Sequence, residues 1–263
     1  MKRKAHSTVT LYYLFTIILF AAVIAGAGCS DSGDKKDTGG STDSSGTGDG
    51  SNALINQGKE IFYAASTETG LKCASCHSDG TNDDVTLTKY FSPINGADKR
   101  TSTYHGMFTG EEVAKNAGGA TICWKTYLEY KEDLTPDQIN ALNAYYESVA
   151  KSDDPTEIVY ETLALPTRDK QKFKEERAEI IKLTGDKENG QKLFKDACGS
   201  CHGKDTGVKD VPNLQEYEGD VKGIAYMTRL GDGHMPFFRK DKLSDQDIAD
   251  ISAFVMTTIV GNK

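Results

Sequence analysis

The pattern Cys-x-x-Cys-His occurs twice, as Cys73-Ala-Ser-Cys76-His77 and as Cys198-Gly-Ser-Cys201-His202. No other feature limits the possible folds so tightly. Thiols at i and i+3 fall on one side of a helical turn, where they can form thioethers with the two former vinyl groups of a heme. The histidine that follows then lies under the ring and can bind iron through its imidazole. A structural disulfide needs no following histidine, and a zinc centre would have to gather four ligands from two distant halves of the chain. The doubled motif therefore predicts two covalently bound heme c groups. Cys73, Cys76, Cys198 and Cys201 attach them, and His77 and His202 ligate the irons.

The surroundings of the motifs repeat as well. Gly190-x-x-x-Phe194 stands four residues ahead of Cys198, and Gly58-x-x-x-Phe62 precedes Cys73 with seven extra residues in between. Glycine and phenylalanine at i and i+4 share a helix face on which another helix can approach closely. Each copy then closes with a capped amphipathic segment, Thr135-Pro136-Asp137-Gln138-Ile139 and Ser244-Asp245-Gln246-Asp247-Ile248. A Ser or Thr N-cap with acids in the first turn, and Pro136 at its first position, are helix-start signals. The two closing segments align at a constant offset of 109, Ile139 onto Ile248 and Tyr145 onto Phe254.

On these residues the chain resembles the class I cytochrome c family, over about 53–150 and again over 186–260. The resemblance implies an all-α chain of two tandem class I cytochrome c domains, 53–150 and 186–263, wrapping c-type hemes, with the N-terminal helix of each crossing its C-terminal helix. Between them, 151–185 is charged and interrupted by Pro155 and Pro166. It reads as a linker with one helix over Gln171–Leu183, on the spacing of Phe173, Ile180, Ile181 and Leu183.

The family pattern also implies a sixth ligand for the second iron. Met235-Pro236 lies 33 residues after His202 and eight before Leu243. In the family a Met-Pro in this place supplies that ligand, and a Pro-x-Leu, Pro212-Asn213-Leu214 in this chain, buttresses the proximal histidine. Thioether ligation favours Fe(II); the alternatives are that Met235 only fills the core, or that neighbouring His234, otherwise an exposed loop residue, binds instead.

The first copy has no Met-Pro, and His105, Met107 and Cys123 compete for its iron. Met107 lies 30 residues after His77, close to the 33 of Met235, whereas Cys123 lies eleven before Leu134, close to the eight between Met235 and Leu243. Of six cysteines, four belong to attachment motifs and Cys29 to the amino-terminal signal, leaving Cys123 without an intrachain partner in an oxidising compartment. Cys123 is thus a candidate metal ligand beside His77, His202 and Met235; a buried inert thiol is the bland reading.

The amino terminus is an address. Met1–Thr10 is basic, Leu11–Ala25 almost wholly apolar, and Gly26-Ala27-Gly28 leads into Cys29. This is a signal-peptide layout over 1–28, and the apolar stretch falls short of the roughly 20 residues that span a bilayer. It resembles a bacterial lipoprotein signal whose cysteine becomes lipidated, although Gly26 stands where that family usually has Leu. Residues 29–52 hold no apolar side chain after Cys29 and read as a disordered, lipid-tethered linker, reaching roughly 26 Å as a flexible coil. The chain is expected outside the cytoplasm, anchored to a membrane by lipid or by an uncleaved signal. Ser30 after Cys29 is compatible, by resemblance to lipoprotein sorting, with the outer membrane.

Net charge is −8, and −11 once Lys2, Arg3 and Lys4 leave with the signal. Such a surface repels phosphate backbones, so no nucleic acid is expected, and it suits transient docking to redox protein partners. The favoured expectation is an electron carrier, with a low-potential first heme and a higher-potential His/Met second heme, rather than a catalyst. The alternative is a sulfur-oxidising enzyme: a Cys-ligated heme followed by a Met-ligated one looks like the diheme thiosulfate dehydrogenases, the first heme serving as the active site. Lys99, Arg100, Lys115 or Lys125 would then hold the anion. A diheme peroxidase would need a calcium site, and no such loop appears in the sequence.

Overall fold

The computed structural model describes residues 48–81, 85–95, 97–103, 107–150 and 170–261, all within one compact unit, Ser44–Lys263. The signal segment 1–28, the tether as far as 47, His105 and the linker residues 151–169 lie outside the described residues. Among the described residues ten α-helices follow in chain order: α1 (Gly48–Tyr63), α2 (Cys73–Cys76), α3 (Glu111–Lys115), α4 (Ala120–Thr126), α5 (Pro136–Ser148), α6 (Lys170–Ile180), α7 (Lys187–Ala197), α8 (Gly199–His202), α9 (Val221–Leu230) and α10 (Asp245–Phe254). The expected all-α class is met except for a small antiparallel ribbon, β1 (Ser102–Thr103) against β2 (Phe108–Thr109). Helix α1 begins inside the segment expected to be disordered, because its packed half, from Ile55 to Tyr63, lets helix propagate backwards through exposed Ser51–Leu54.

The closing helices start where their caps dictate. Thr135 accepts from the Gln138 amide while the Gln138 side chain reaches back to the Thr135 amide, and Ser244 and Asp247 make the same reciprocal pair. Against them lie α1 and α7, and both crossings hinge on a glycine. A Cβ on Gly58 would lie 2.0 Å from the Ala141 carbonyl oxygen, and one on Gly190 would lie 2.0 Å from that of Asp250. Ala141 and Asp250 are themselves 109 apart. One helical turn on, Phe62 meets Tyr145 at 5.6 Å and 52°, and Phe194 meets Phe254 at 5.5 Å and 55°. The repeated spacing in the chain is a repeated crossing in space.

Two hydrophobic clusters result. One joins Phe62, Leu142, Tyr145 and Tyr146 of the first copy, and full burial of a side chain such as Phe62 contributes about 1.5–3 kcal/mol. The other joins Ile248, Ile251, Phe254 and Leu243 of the second copy, but it also takes in Leu87 and Tyr90 from the first. A 3-10 turn, Thr86–Tyr90, carries those two side chains onto α7, with Lys89 paired to Asp196. That exposed pair adds little, about 1 kcal/mol at most; burial of Leu87 and Tyr90 does the holding. The seven-residue insertion before Cys73 docks on the second copy too, the Lys209 amide donating to the Thr69 carbonyl at 2.8 Å.

Helix α6 packs Phe173 and Ile180 inward, with Phe173 edge-on to Tyr226 of α9 at 5.3 Å. Ile181 and Leu183, expected on the same face, fall beyond its end and are exposed.

Candidate functional site

Helix α2 is a single turn that presents Cys73 and Cys76 on one side, closed by the His77 amide donating to the Cys73 carbonyl at 3.0 Å. His77 Nδ1 lies 2.7 Å from the Ser92 carbonyl oxygen. A carbonyl only accepts, so Nδ1 carries the proton and Nε2 keeps the lone pair a metal needs. Burial, only partly offset by that bond, also holds His77 below its ordinary pKa and so in the neutral form.

These three side chains open onto a cavity of about 200 Å³. Cys123, on α4, lines it together with Tyr127 and Tyr146. Burial pushes the Cys123 thiol up to about 11 and, with a smaller contribution from neighbouring Cys123, the Cys73 thiol up to about 12. Cys123 forms no disulfide. So raised, the thiol is protonated at neutral pH, and binding a metal would displace that proton. Of its competitors, Met107 is 59% exposed, and His105 lies outside the described residues.

Among the described residues the cavity wall is charged in one sense only: Lys72, Arg100, Arg239 and Lys242 line it and no carboxylate does, in a chain whose net charge is −8. Of the four cations expected to face an anion, Arg100 alone takes that place. Lys115 pairs with Glu112 at 2.8 Å and Lys125 with Asp133 at 3.1 Å on the surface, and Lys99 is absent from the wall.

At the second motif, the His202 amide donates to the Cys198 carbonyl at 2.8 Å, which winds Cys198 to His202 into the required turn. Burial lowers the His202 pKa, the Pro212 carbonyl partly opposes this, and nearby His234 lowers it further. The buried Nδ1 faces Pro212 without closing a hydrogen bond of good geometry.

Met235 sits on a tight turn in which the Asp232 amide donates to the Met235 carbonyl at 3.1 Å and the Met235 amide returns a bond at 2.9 Å. Gly231 opens that turn with φ +69, and a side chain there would collide with the Met235 carbonyl, 2.5 Å from an added Cβ. Buried Arg229 braces the far end: it donates to the carbonyls of Phe238 (3.1 Å) and Leu243 (2.6 Å) and pairs with Asp245 at 2.7 Å. His234 is not the exposed loop residue expected. Its side chain is 17% exposed and lies 3.4 Å from Glu129 of the first copy, which the turn at Glu129, φ +56, swings towards it.

The two motifs lie close together. The Cys76 thiol is raised by burial and then by the Cys201 thiol. An aromatic run leads from the first motif to the loop after Met235, His77 to Phe91 at 6.3 Å and Phe91 to Phe238 at 5.6 Å.

Three features escaped the sequence. Asp79, buried two residues after His77, accepts hydrogen bonds from the hydroxyls of Tyr63 (2.5 Å) and Tyr145 and from Thr81. It ties the chain leaving the first motif to α1 and α5. Burial alone would raise the Asp79 carboxyl, yet those bonds outweigh it and bring the pKa down to about 2. The basic run Arg239, Lys240, Lys242 after Met235 was visible but indistinguishable from solvated charge. Lys72 carried no signal beyond its place beside Cys73.

The residues present fit covalently held heme at the first motif: two thiols, an imidazole whose Nδ1 is fixed by the Ser92 carbonyl, and a cavity lined by apolar side chains with cations on its wall. Residues 185–255 match the family model described as cytochrome c oxidase, cbb3-type, subunit III. That segment is a cytochrome c domain, which implies covalently bound heme c and heme-based electron transfer. The helix-rich fold agrees with it. A search of curated proteins returns no match to the chain.

Proposed function

We propose that the chain is a membrane-tethered diheme c-type cytochrome that passes electrons between redox proteins outside the cytoplasm. The observation that carries this reading is the repeated crossing: each Cys-x-x-Cys-His follows a helix that meets its closing helix through a glycine and an aromatic pair of nearly the same distance and tilt. A cytochrome c domain over the second copy makes the first its structural counterpart. Heme c bound at each motif supplies a one-electron Fe(III)/Fe(II) couple.

The protein's own groups divide the roles. Cys73 and Cys76, and Cys198 and Cys201, fix the rings; His77 and His202 offer Nε2 to the irons. Cys123, on the cavity wall, is the sixth ligand assigned to the first iron, and its thiolate stabilises Fe(III). Met235, on its braced turn, is the one assigned to the second, where a thioether stabilises Fe(II). The first site then lies lower in potential, and Phe91 and Phe238 carry an aromatic contact from His77 to the loop that bears Met235. Cys29, lipidated, would hold this unit beside the membrane.

Heme counting per chain, with low-temperature EPR of the oxidised protein and of Cys123→Ala, tests the reading. Two hemes and a thiolate-type low-spin signal lost in the variant are expected; one heme per chain refutes it. The cationic cavity also favours a second reading, a sulfur-oxidising enzyme with the first heme as its active site. Thiosulfate-dependent reduction of the protein would establish that reading, and its absence would leave the carrier.

A further inference from the structure

The first copy's cavity is not built by the first copy alone. Pro236, Phe237, Arg239 and Lys242, all on the loop that leaves Met235, form part of its wall. Two of its four cations therefore come from the second copy, and Arg100 faces them from the first. The Arg239 guanidinium also pairs with Asp241 at 2.7 Å, but that carboxylate is half exposed and not on the wall. Among the described residues the Lys242 ammonium forms no ion pair, whereas neighbouring Lys240 pairs with Asp245 at 2.5 Å. Four cations and no acid among the described residues of one wall, in an acidic protein, call for an anionic occupant. The heme proposed for this cavity has two carboxylates, the propionates, at the edge away from the attachment carbons held by Cys73 and Cys76.

We infer that the loop 235–243 serves both hemes: Met235 ligates the second iron, while Arg239 and Lys242, with Arg100 opposite, bind the propionates of the first heme. This rests on the diheme reading above. Arg229 gives the loop its rigidity through the Phe238 and Leu243 carbonyls, on either side of Arg239 and Lys242. One loop set by both hemes makes their environments interdependent without any motion of the helices. A cation close to the ring opposes the extra positive charge of Fe(III), so removing it favours the ferric form and lowers the potential of the first heme.

The test uses the full two-heme chain with Arg239→Gln, Lys242→Gln and the double variant, and Arg239→Lys as the conservative control. Hemes per chain are counted, and each midpoint is resolved by spectroscopic titration, Met235→Leu identifying the second heme's wave. The expected result is two hemes retained and the first heme's Fe(III)/Fe(II) ratio raised about tenfold at fixed poise in the double variant, about 59 mV for one electron. Arg239→Lys should restore most of it, and high salt should shrink the effect. Two hemes with the first midpoint unmoved, or with only the second displaced, would overturn the inference and leave the diheme reading standing. One heme per chain in the parent protein would overturn both. Thiosulfate shifting the first heme's spectrum in the parent but not in the double variant would make the cations a substrate site and refute the propionate assignment.

Discussion

Gly190→Ala should destabilise the protein by about 2–3 kcal/mol, although alanine is the better helix former. The added Cβ would stand 2.0 Å from the Asp250 carbonyl oxygen, 2.5 Å from its carbon and 3.0 Å from the Ile251 nitrogen. A relaxed C···O contact needs about 3.3 Å, so α7 and α10 must part by more than about 1 Å. The obstacle is helix backbone, which cannot swing aside as a side-chain tip can. A gap of that size forfeits a quarter to a half of the dispersion across the crossing. It also stretches the bonds the buried Asp250 carboxylate accepts from the Asp186 amide at 2.9 Å and Asn189 Nδ2 at 2.7 Å, each contributing about 1 kcal/mol. Against this stands a gain of about 1 kcal/mol in helix propensity. Gly50→Ala is the control: it too lies in a helix, but nothing stands within 4 Å of its Cβ, so only the gain applies. Guanidinium unfolding followed by far-UV circular dichroism, at constant m, measures the difference. Gly190→Ala within about 0.5 kcal/mol of Gly50→Ala would refute the close crossing. Fluorescence of Trp124, the chain's one tryptophan, packed against the first cluster, should move with the dichroism, because Leu87 and Tyr90 make the two clusters one cooperative unit.

Leu87→Ala, in a first-copy residue that is 2% exposed within the second cluster, should cost about 2–5 kcal/mol and disturb the visible spectrum of the second heme; a spectrum changed only at the first would contradict the shared core. Arg229→Gln leaves the Phe238 and Leu243 carbonyls without their donor and Asp245 with Lys240 alone, and should cost about 1–3 kcal/mol, with loss of the charge-transfer band of a Met-ligated ferric heme; that band surviving unchanged would show the brace to be dispensable for Met235. Burial alone would raise the Asp245 carboxyl, but hydrogen bonds from Lys240 and Arg229 outweigh it and hold the group below its ordinary 3.8. Its contribution is therefore fully present above pH 4 and lost as pH falls through the lower folded value, so acid unfolding below pH 4 should be less steep in Asp245→Asn, and equal slopes would refute this.

What could be read from the chain was whatever repeats at short range. Cys-x-x-Cys-His, Gly-x-x-x-Phe and the two capping boxes are each local, and each specifies a turn or a helix face with little help from distant residues. The offset of 109 between the closing helices holds in three dimensions because Ala141 and Asp250 must both pass a glycine. The helix over Gln171–Leu183 was legible as a helix, but its end was not: spacing put Ile181 and Leu183 on the face with Phe173 and Ile180, while the helix stops at Ile180.

What stayed hidden is the contact between the copies, for a physical reason. Leu87 and Tyr90 lie on a five-residue 3-10 turn, too short for any period to show which core they enter. Arg239 and Lys242 look like solvated charge beside Asp241, since a basic residue after a loop has no signature until the other wall of the cavity is known. His234 carries no mark of Glu129, 105 residues away. A tandem repeat read copy by copy assigns each ligand loop to its own site, which is incomplete for the loop that bears Met235, since Pro236, Phe237, Arg239 and Lys242 also line the first cavity. The duplication preserved the helix crossings. The insertion before Cys73 and the turn at Thr86–Tyr90, which have no counterpart in the second copy, press the two units into one body. Cys76 and Cys201 come within electrostatic reach of each other through those departures from the repeat, so the transfer proposed between the sites would depend on what the copies do not share.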